Sequence, residues 1–200
     1  MNGWRVFWLL AALETALFAA GFYGFGTDEA GLRALVRFTV RVSFSVFIVV
    51  YAAAPLRRLF PSPATRWLLR NRRYLGVSFA WAHGLHALAI ALLVLLLGDA
   101  FETNLATLWG GGLGYLFVAG MAATSFDRTA RWLGPRRWAL LHRAGLHWLW
   151  FIFALKWTGA AVAESLFYLP FAAATWAAAG LRLAALRARR SSSEPIAQPA

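Results

Sequence analysis

Apolar side chains fill six long stretches of the chain, and charged residues are concentrated in the connections between them. The stretches cover residues 4–25, 36–54, 75–97, 108–125, 138–157 and 163–186. A helix needs roughly 20 mostly apolar residues to cross the hydrocarbon core of a bilayer. The pattern therefore predicts an all-α bundle of six transmembrane helices, with a kink in the last helix at Pro170.

The end of the chain differs from this pattern. Residues 191–200 are polar and include two prolines, a composition typical of a disordered terminus. The sequence thus predicts one transmembrane domain over residues 1–190 and a disordered polar tail over residues 191–200.

Composition supports the membrane assignment. Hydrophobic residues make up 60% of the chain, charged residues 14%, and the mean hydropathy is +0.58, whereas soluble domains are about half apolar and a quarter charged. The net charge of +12 would suggest nucleic acid in a soluble protein. Here the arginines lie mostly between apolar stretches, so the expected partner is the lipid bilayer and not nucleic acid. The lack of cysteine excludes disulfides and thiolate metal sites.

The arginines predict the orientation of the helices. Six lie between residues 57 and 73, four between 128 and 137, and four between 182 and 190, while the intervening connections carry acidic residues. Positively charged connections stay in the cytoplasm. We therefore expect a multi-pass membrane protein with both termini in the cytoplasm.

One group of arginines departs from this rule. Arg33, Arg37 and Arg41 begin the second apolar segment on the opposite, outer side, and their spacing of four places them along one helical stripe. Two interpretations are open. The helix extends above the bilayer and the arginines reach lipid phosphates, or the stripe binds an anion such as a carboxylate-bearing cofactor or a quinone.

Four histidines are the main candidates for chemistry. His83 and His86 lie in the third apolar segment, and His142 and His147 lie in the fifth. Ionisable residues at membrane depth usually have a function. Histidines that face each other across a bundle suit bis-imidazole ligation of a haem iron, and the alternative is hydrogen bonding between packed helices.

Several motifs resemble the ferric reductase-like transmembrane family, and within it the haem-binding membrane subunits of bacterial periplasmic methionine-sulfoxide reductase systems. The resemblance covers about residues 33–157. It rests on Arg-Arg-Tyr-Leu-Gly at 72–76 before His86, Thr-Ser-Phe at 124–126, and Leu-Gly-Pro-Arg-Arg-Trp at 133–138 before Leu-His-Arg at 141–143. It implies a b-type haem between the third and fifth helices, with the iron bound through His86 and His142.

The departures from the family pattern limit the expected cofactors. Members with two haems carry a second histidine 13 or 14 residues after the first, where this chain has Asp99 or Ala100 and Leu155 or Lys156. The resemblance therefore implies one haem b at most. No flavin and nicotinamide domain is expected, so electrons would come from a redox partner, such as a periplasmic reductase system, or from membrane quinol. The chain would be at most the membrane electron-transfer subunit of an oxidoreductase.

The choice of ligand on the fifth helix stays open at this stage. Counted from the helix starts, His83 or His86 matches the depth of His147 better than that of His142. His142 and His147 are five residues apart, about 140° around a helix, so both cannot bind one iron. His83 and His147 are therefore kept as alternative ligands, and Arg37, Arg41 and Arg73 are candidate contacts for haem propionates or another anion.

Glu14 is a lone carboxyl halfway along the first segment. It either handles protons or is simply protonated or paired within the bundle. An alternative for the whole chain is a haem-free membrane scaffold or transporter, since no second histidine pair and no attached redox domain are found.

Overall fold

The computed structural model describes residues 2–191, with side chains up to residue 189. Within this part the chain forms seven α-helices and two short 3₁₀ turns. The α-helices are α1 Trp4–Phe25, α2 Glu29–Leu59, α3 Pro63–Leu97, α4 Leu105–Ala123, α5 Asp127–Leu133, α6 Pro135–Ala163 and α7 Leu169–Ser191.

All of these helices except α5 are long and apolar enough to cross a membrane. The prediction of an all-α bundle with six spanning helices is therefore confirmed, and the chain is a multi-pass membrane protein. Large apolar side chains such as Trp8, Leu95 and Leu116 are exposed, as expected for helix faces that contact lipid. Apart from Ser191, the predicted tail lies outside the described residues, and the division at residue 190 stays a prediction.

Local signals determine where the helices begin. Asp28 accepts a hydrogen bond from the Gly31 amide at 2.9 Å and caps α2. Ser62 and Thr65 form a capping box at the start of α3, with Pro63 as the first helical residue. Because these signals precede the apolar stretches, α2 and α3 start well before residues 36 and 75.

The expected kink at Pro170 is wrong. The predicted sixth segment is interrupted after Ala163, where α6 ends, and a 3₁₀ turn at Leu166–Tyr168 leads into α7. Pro170 is the second residue of α7, where a missing amide hydrogen removes no helical hydrogen bond.

The core lies between α2, α3 and α6 and is largely aromatic. The rings of Phe47 and Phe79 have centroids 5.3 Å apart, and Phe153 lies 5.1 Å from both Phe44 and Phe47. Along α2 the partners on α3 run backwards from His86 at Thr39 to Phe79 at Phe47, and those on α6 from Trp157 at Phe44 to His147 at Tyr51, so α2 is antiparallel to both. Helices α3 and α6 therefore run in the same direction, as the order of the segments predicts.

Candidate functional site

His83 and His86 form a buried pair on the face of α3 that packs against α2. Each has 8% of its surface exposed, and their ring centroids are 5.5 Å apart. The Nδ1 atom of His86 lies 3.0 Å from the Thr39 hydroxyl, and that of His83 lies 3.2 Å from the Ser43 hydroxyl. Two histidines three residues apart on α3 thus each contact one of two hydroxyl residues four apart on α2.

These hydroxyl groups determine which ring nitrogen carries the proton. The Thr39 hydroxyl donates to the Leu35 carbonyl at 2.9 Å, and the Ser43 hydroxyl donates to the Val40 carbonyl at 3.2 Å. A hydroxyl has one hydrogen, so a hydroxyl that donates to the carbonyl of its own helix accepts from the histidine Nδ1–H. With the hydroxyl hydrogens on these carbonyls, the free lone pair of both histidines is on Nε2, the arrangement found in metal-binding histidines.

Aromatic residues surround the rest of the His83 ring. Phe79, Tyr115 and Phe153 have ring centroids 5.3, 4.7 and 6.3 Å from that of His83. They come from α3, α4 and α6, so the histidine pair lies where four helices meet.

His142 occupies a different place, on the wall of a cavity of about 550 Å³. Its ring stacks on Trp138 with centroids 4.1 Å apart, and its Nε2 atom lies 3.1 Å from the Thr124 hydroxyl. That hydroxyl donates to the Gly120 carbonyl at 2.7 Å. It therefore accepts from Nε2–H, and the free lone pair of His142 is on Nδ1.

The cavity has an apolar inner part and a positively charged rim. Gly76, Phe79, Val118 and Met121 line the inner part. The rim carries the four arginines Arg72, Arg73, Arg143 and Arg182. Such a cavity suits an amphiphilic molecule with an anionic or strongly hydrogen-bonding end.

His147 contributes neither to the buried pair nor to the cavity wall. Its Nδ1 atom lies 2.7 Å from the Arg143 carbonyl of its own helix, and its ring lies 6.2 Å from that of Tyr51. The side chain is exposed. His142 and His147 thus face different surroundings, as their spacing predicts.

The helix register separates the predicted ligands along the bundle. Phe153 lies beside His83, and His142 precedes Phe153 by eleven residues, or about 16 Å at the helical rise of 1.5 Å per residue. His86 is three residues beyond His83, so its level differs from that of His142 by roughly 20 Å. His147 is closer, about 9 Å below the level of His83. In this arrangement His86 and His142 do not reach one iron.

The three arginines predicted to contact an anion do not lie together. Arg73 lies on the cavity rim and forms a 2.7 Å ion pair with Asp127. Arg41 donates to the Tyr168 hydroxyl at 3.2 Å and lies 4.9 Å from the centre of the Phe167 ring, and Arg37 is exposed. Arg33, from the same stripe, pairs with Glu29 at 2.7 Å. The stripe therefore does not converge on one anion within the described structure.

Sequence reasoning missed the hydroxyl groups that hold the histidines and the arginine that α7 adds to the rim. Thr39 and Ser43 are four residues apart, a helical spacing that is visible in the sequence. Nothing in that spacing indicates that His83 and His86 are their partners. Arg182 is distant in sequence from the rest of the cavity, and it lies 4.3 Å from the centre of the Tyr51 ring.

The ring nitrogens of the buried pair have the chemistry of haem ligands, whereas the cavity of about 550 Å³ is lined by His142 and by neither His83 nor His86. Haem iron takes neutral imidazole ligands, and metal-binding histidines usually hold their second ring nitrogen in a hydrogen bond. His86 meets both requirements because its Nδ1–H is bound by Thr39. The fold and these residues together define a class of protein, multi-pass α-helical membrane proteins with buried, hydrogen-bonded histidines inside the bundle.

Two curated proteins make the assignment more specific. The chain is 29% identical over 161 residues to the protein-methionine-sulfoxide reductase haem-binding subunit MsrQ of Azospira oryzae, covering 72% of this chain and 66% of that protein. It is 31% identical over 148 residues to the MsrQ subunit of Polaromonas naphthalenivorans, covering 66% of each. The chain is therefore a relative of the haem-binding MsrQ subunits.

The predicted resemblance to the haem-binding subunits of this reductase system is thereby confirmed. The match spans 66% of the length of each curated relative. No family model matches the chain, so membership of the wider ferric reductase-like family stays a prediction. No solved structure matches it either.

Proposed function

We propose that this protein is a haem b-binding electron carrier of the bacterial inner membrane, and that His86 binds the iron. The observation that carries the proposal is the geometry of His86, a buried imidazole whose Nδ1–H is held by the Thr39 hydroxyl. The names of both relatives describe haem-binding subunits. This similarity favours an electron-transfer function over a haem-free scaffold or transporter.

The cavity beside His142 would be the place where electrons enter. Its apolar inner part would accept the ring of a quinol, and Arg72, Arg143 and Arg182 would attract its oxygen atoms or the anionic groups of a reductase. His142 would accept a hydrogen bond, or a proton, through Nδ1 as the donor is oxidised. Haem, when bound, supplies one-electron chemistry, and the protein supplies ligands and local charge.

His142, which the sequence resemblance implies as a ligand, is the alternative to His86 as the iron ligand, since the two do not reach one iron in this arrangement. A haem bound by His142 would lie in the cavity, with the rim arginines beside its propionates, whereas a haem bound by His86 would lie deeper. We expect one haem in total, since the predicted second histidine positions hold Asp99 or Ala100 and Leu155 or Lys156.

A partner protein would complete the function. The relatives are named as subunits of a methionine-sulfoxide reductase, so we propose a periplasmic reductase as the electron acceptor. The chain itself would transfer electrons and would not catalyse the reduction of the substrate.

The absorbance spectrum of protein purified after expression with ample haem tests this proposal. We expect a Soret band, about one haem per chain, and reduction by a quinol analogue. His86→Ala should lose the band because the iron loses its ligand. His147→Ala is the matched control, since His147 is exposed and bonds only within its own helix, and it should keep the band.

Alanine variants of His86 and His142 distinguish between the two proposed iron ligands. Loss of the band in His142→Ala but not in His86→Ala would move the haem into the cavity and overturn the assignment to His86. A wild-type protein without a Soret band would overturn the proposed function as a whole.

A further inference from the structure

The rim of the cavity of about 550 Å³ carries more positive charge than the described residues compensate. Of its four arginines, Arg73 forms an ion pair with Asp127, the acidic residue of the cavity lining. Within the described part of the chain, no carboxylate forms an ion pair with Arg72, Arg143 or Arg182. An anion is therefore the expected partner of the rim.

Two guanidinium groups of this lining have buried N–H groups without an acceptor. Nη1 of Arg182 and Nε of Arg73 are buried, and neither has a hydrogen-bond partner among the described residues. The guanidinium of Arg182 lies 4.3 Å from the centre of the Tyr51 ring, a cation–π contact that fixes its charge beside the cavity. Because buried polar groups nearly always have a partner, these donors indicate a missing acceptor at the rim.

Arg72 and Arg182 approach the rim from two different helices, α3 and α7, and their charges repel each other. Two like charges at a partly buried place raise the free energy of the fold unless an opposite charge lies between them. A phosphate or carboxylate there would accept charge-assisted hydrogen bonds from both guanidinium groups. The pair thus has the chemistry of an anion-binding site.

The level of Arg72 along the bundle matches that of lipid phosphate groups. Arg72 lies 25 positions before Leu97, the last residue of α3, or about 38 Å at the helical rise. The hydrocarbon core of a bilayer is about 30 Å thick. Arg72 therefore lies in the head-group region when the other end of α3 reaches the opposite surface, and phospholipid phosphates are the most abundant anions there.

The inner part of the cavity suits an acyl chain. Its lining includes Gly76, Phe79, Val118 and Met121, which offer apolar contact and no side-chain hydrogen-bonding group. A Cβ atom added to Gly76 would meet no atom within 4 Å, so the cavity is open along this part of α3. A charged rim above an apolar interior matches the two halves of a phospholipid.

We propose that the cavity is a binding site for an anionic phospholipid, with the phosphate group between Arg72 and Arg182 and an acyl chain along Gly76 and Val118. Basic pockets between transmembrane helices bind the head groups of anionic lipids. The proposal goes beyond the proposed function, because lipid binding requires no haem. The lipid would occupy the cavity in the absence of an electron donor, and the donor would displace it.

Native mass spectrometry of the full-length protein in detergent, titrated with phosphatidylglycerol, tests the proposal. We expect one phosphatidylglycerol per chain and weaker binding of phosphatidylcholine, whose cationic head group the arginines repel. Arg72→Gln and Arg182→Gln should each weaken the binding of phosphatidylglycerol by about tenfold or more, because a charge-assisted hydrogen bond is lost. Arg70→Gln is the matched control, since Arg70 is an exposed arginine of the same helix outside the cavity lining, and it should bind like the wild type.

A second pair of variants tests the acyl-chain part of the site without changing any charge. Gly76→Leu should abolish the binding of phosphatidylglycerol, because the new side chain fills the inner part of the cavity. Gly84→Leu is its control. Gly84 lies on the same helix outside the cavity lining, and a Cβ atom there also meets no atom within 4 Å, so this variant should retain the lipid.

Several results would overturn the proposal. These are unchanged lipid binding in both Arg72→Gln and Arg182→Gln, equal binding of phosphatidylcholine, and displacement of the lipid by an equal concentration of inorganic phosphate, which has no acyl chain. Haem bound in the cavity in place of the lipid would also overturn it. Failure of the proposed function is distinguishable, since a chain that binds phosphatidylglycerol but shows no Soret band would overturn that function alone.

Discussion

Single hydroxyl groups decide how three of the four histidines present their nitrogen atoms. Thr39 and Ser43 bind Nδ1–H of His86 and His83, while Thr124 binds Nε2–H of His142. In each case the hydroxyl lies within hydrogen-bond distance of a carbonyl of its own helix, and when it donates there it accepts from the imidazole. Similar histidines on spanning helices thereby have different ring nitrogens bound to hydroxyl groups.

Asn71 is another single residue with a structural effect, because it attaches the N-terminus to α3. It is 1% exposed, its Oδ1 accepts from the Gly3 amide at 2.8 Å, and its Nδ2 donates to the Trp67 carbonyl and to Asn2 Oδ1. The residue therefore holds the start of α1 against the start of α3.

We expect Asn71→Ala to destabilise the protein by about 1–3 kcal/mol, because buried polar groups lose their partners. Thermal unfolding of purified protein in detergent measures the effect. Asn2→Ala removes only one bond from an exposed residue and should change stability by less than about 0.5 kcal/mol. Equal stability of the two variants would contradict this role of Asn71.

The connection between α1 and α2 is a short turn of three residues, 26–28. Gly26 has a φ of +89°, which favours glycine, and Asp28 caps α2 two residues later. A Cβ atom on Gly31 would overlap the backbone carbonyl oxygens of Phe25 and Gly26. The absence of a side chain at Gly31 thus allows the end of α1 to pack on the start of α2.

Gly31→Ala should therefore destabilise the bundle by about 1–3 kcal/mol, the usual effect of overpacking. Gly24→Ala is the control, because a Cβ atom there meets no atom within 4 Å and alanine favours a helix by up to about 1 kcal/mol over glycine. The two variants can be compared by thermal unfolding in the same detergent. If Gly24→Ala lost as much stability as Gly31→Ala, close packing at the turn would not explain the loss at Gly31.

At the scale of the whole molecule, the structure collects its arginine-rich connections at one end of the bundle. The start of α1 reaches that end because Gly3 bonds Asn71. The last helix returns to it, since Arg182 shares a cavity with Arg72. Acidic residues of the other connections, including Asp28 and Glu164, lie at the opposite end. A separation of this kind suits a bundle with both termini in the cytoplasm.

Cysteine labelling tests that orientation, because the chain has no native cysteine. Thr27→Cys and Ala64→Cys place single exposed thiols at opposite ends of the bundle. In cells with a permeable outer membrane, a reagent that cannot cross the inner membrane should label Thr27→Cys and should not label Ala64→Cys until the inner membrane is opened. The reverse pattern would place the arginine-rich end outside.

The sequence by itself determined the six spanning helices, the parallel direction of the third and fifth, and the location of the four histidines inside them. These features follow from local rules, since a run of about 20 apolar residues is stable in lipid as a helix whatever lies beside it. The resemblance to the reductase subunits was also readable from short motifs.

Only the tertiary structure decided where the histidines lie relative to one another and which groups they contact. The register between α3 and α6 separates His86 from His142, and the packing of α2 supplies the hydroxyl partners of His83 and His86. The cavity at His142 needs arginines from α3, α6 and α7. Hydropathy determines that a helix crosses the membrane, but the fit of side chains between helices determines its rotation and depth. For that reason the levels of the histidines could not be read from the distances to the ends of the apolar segments.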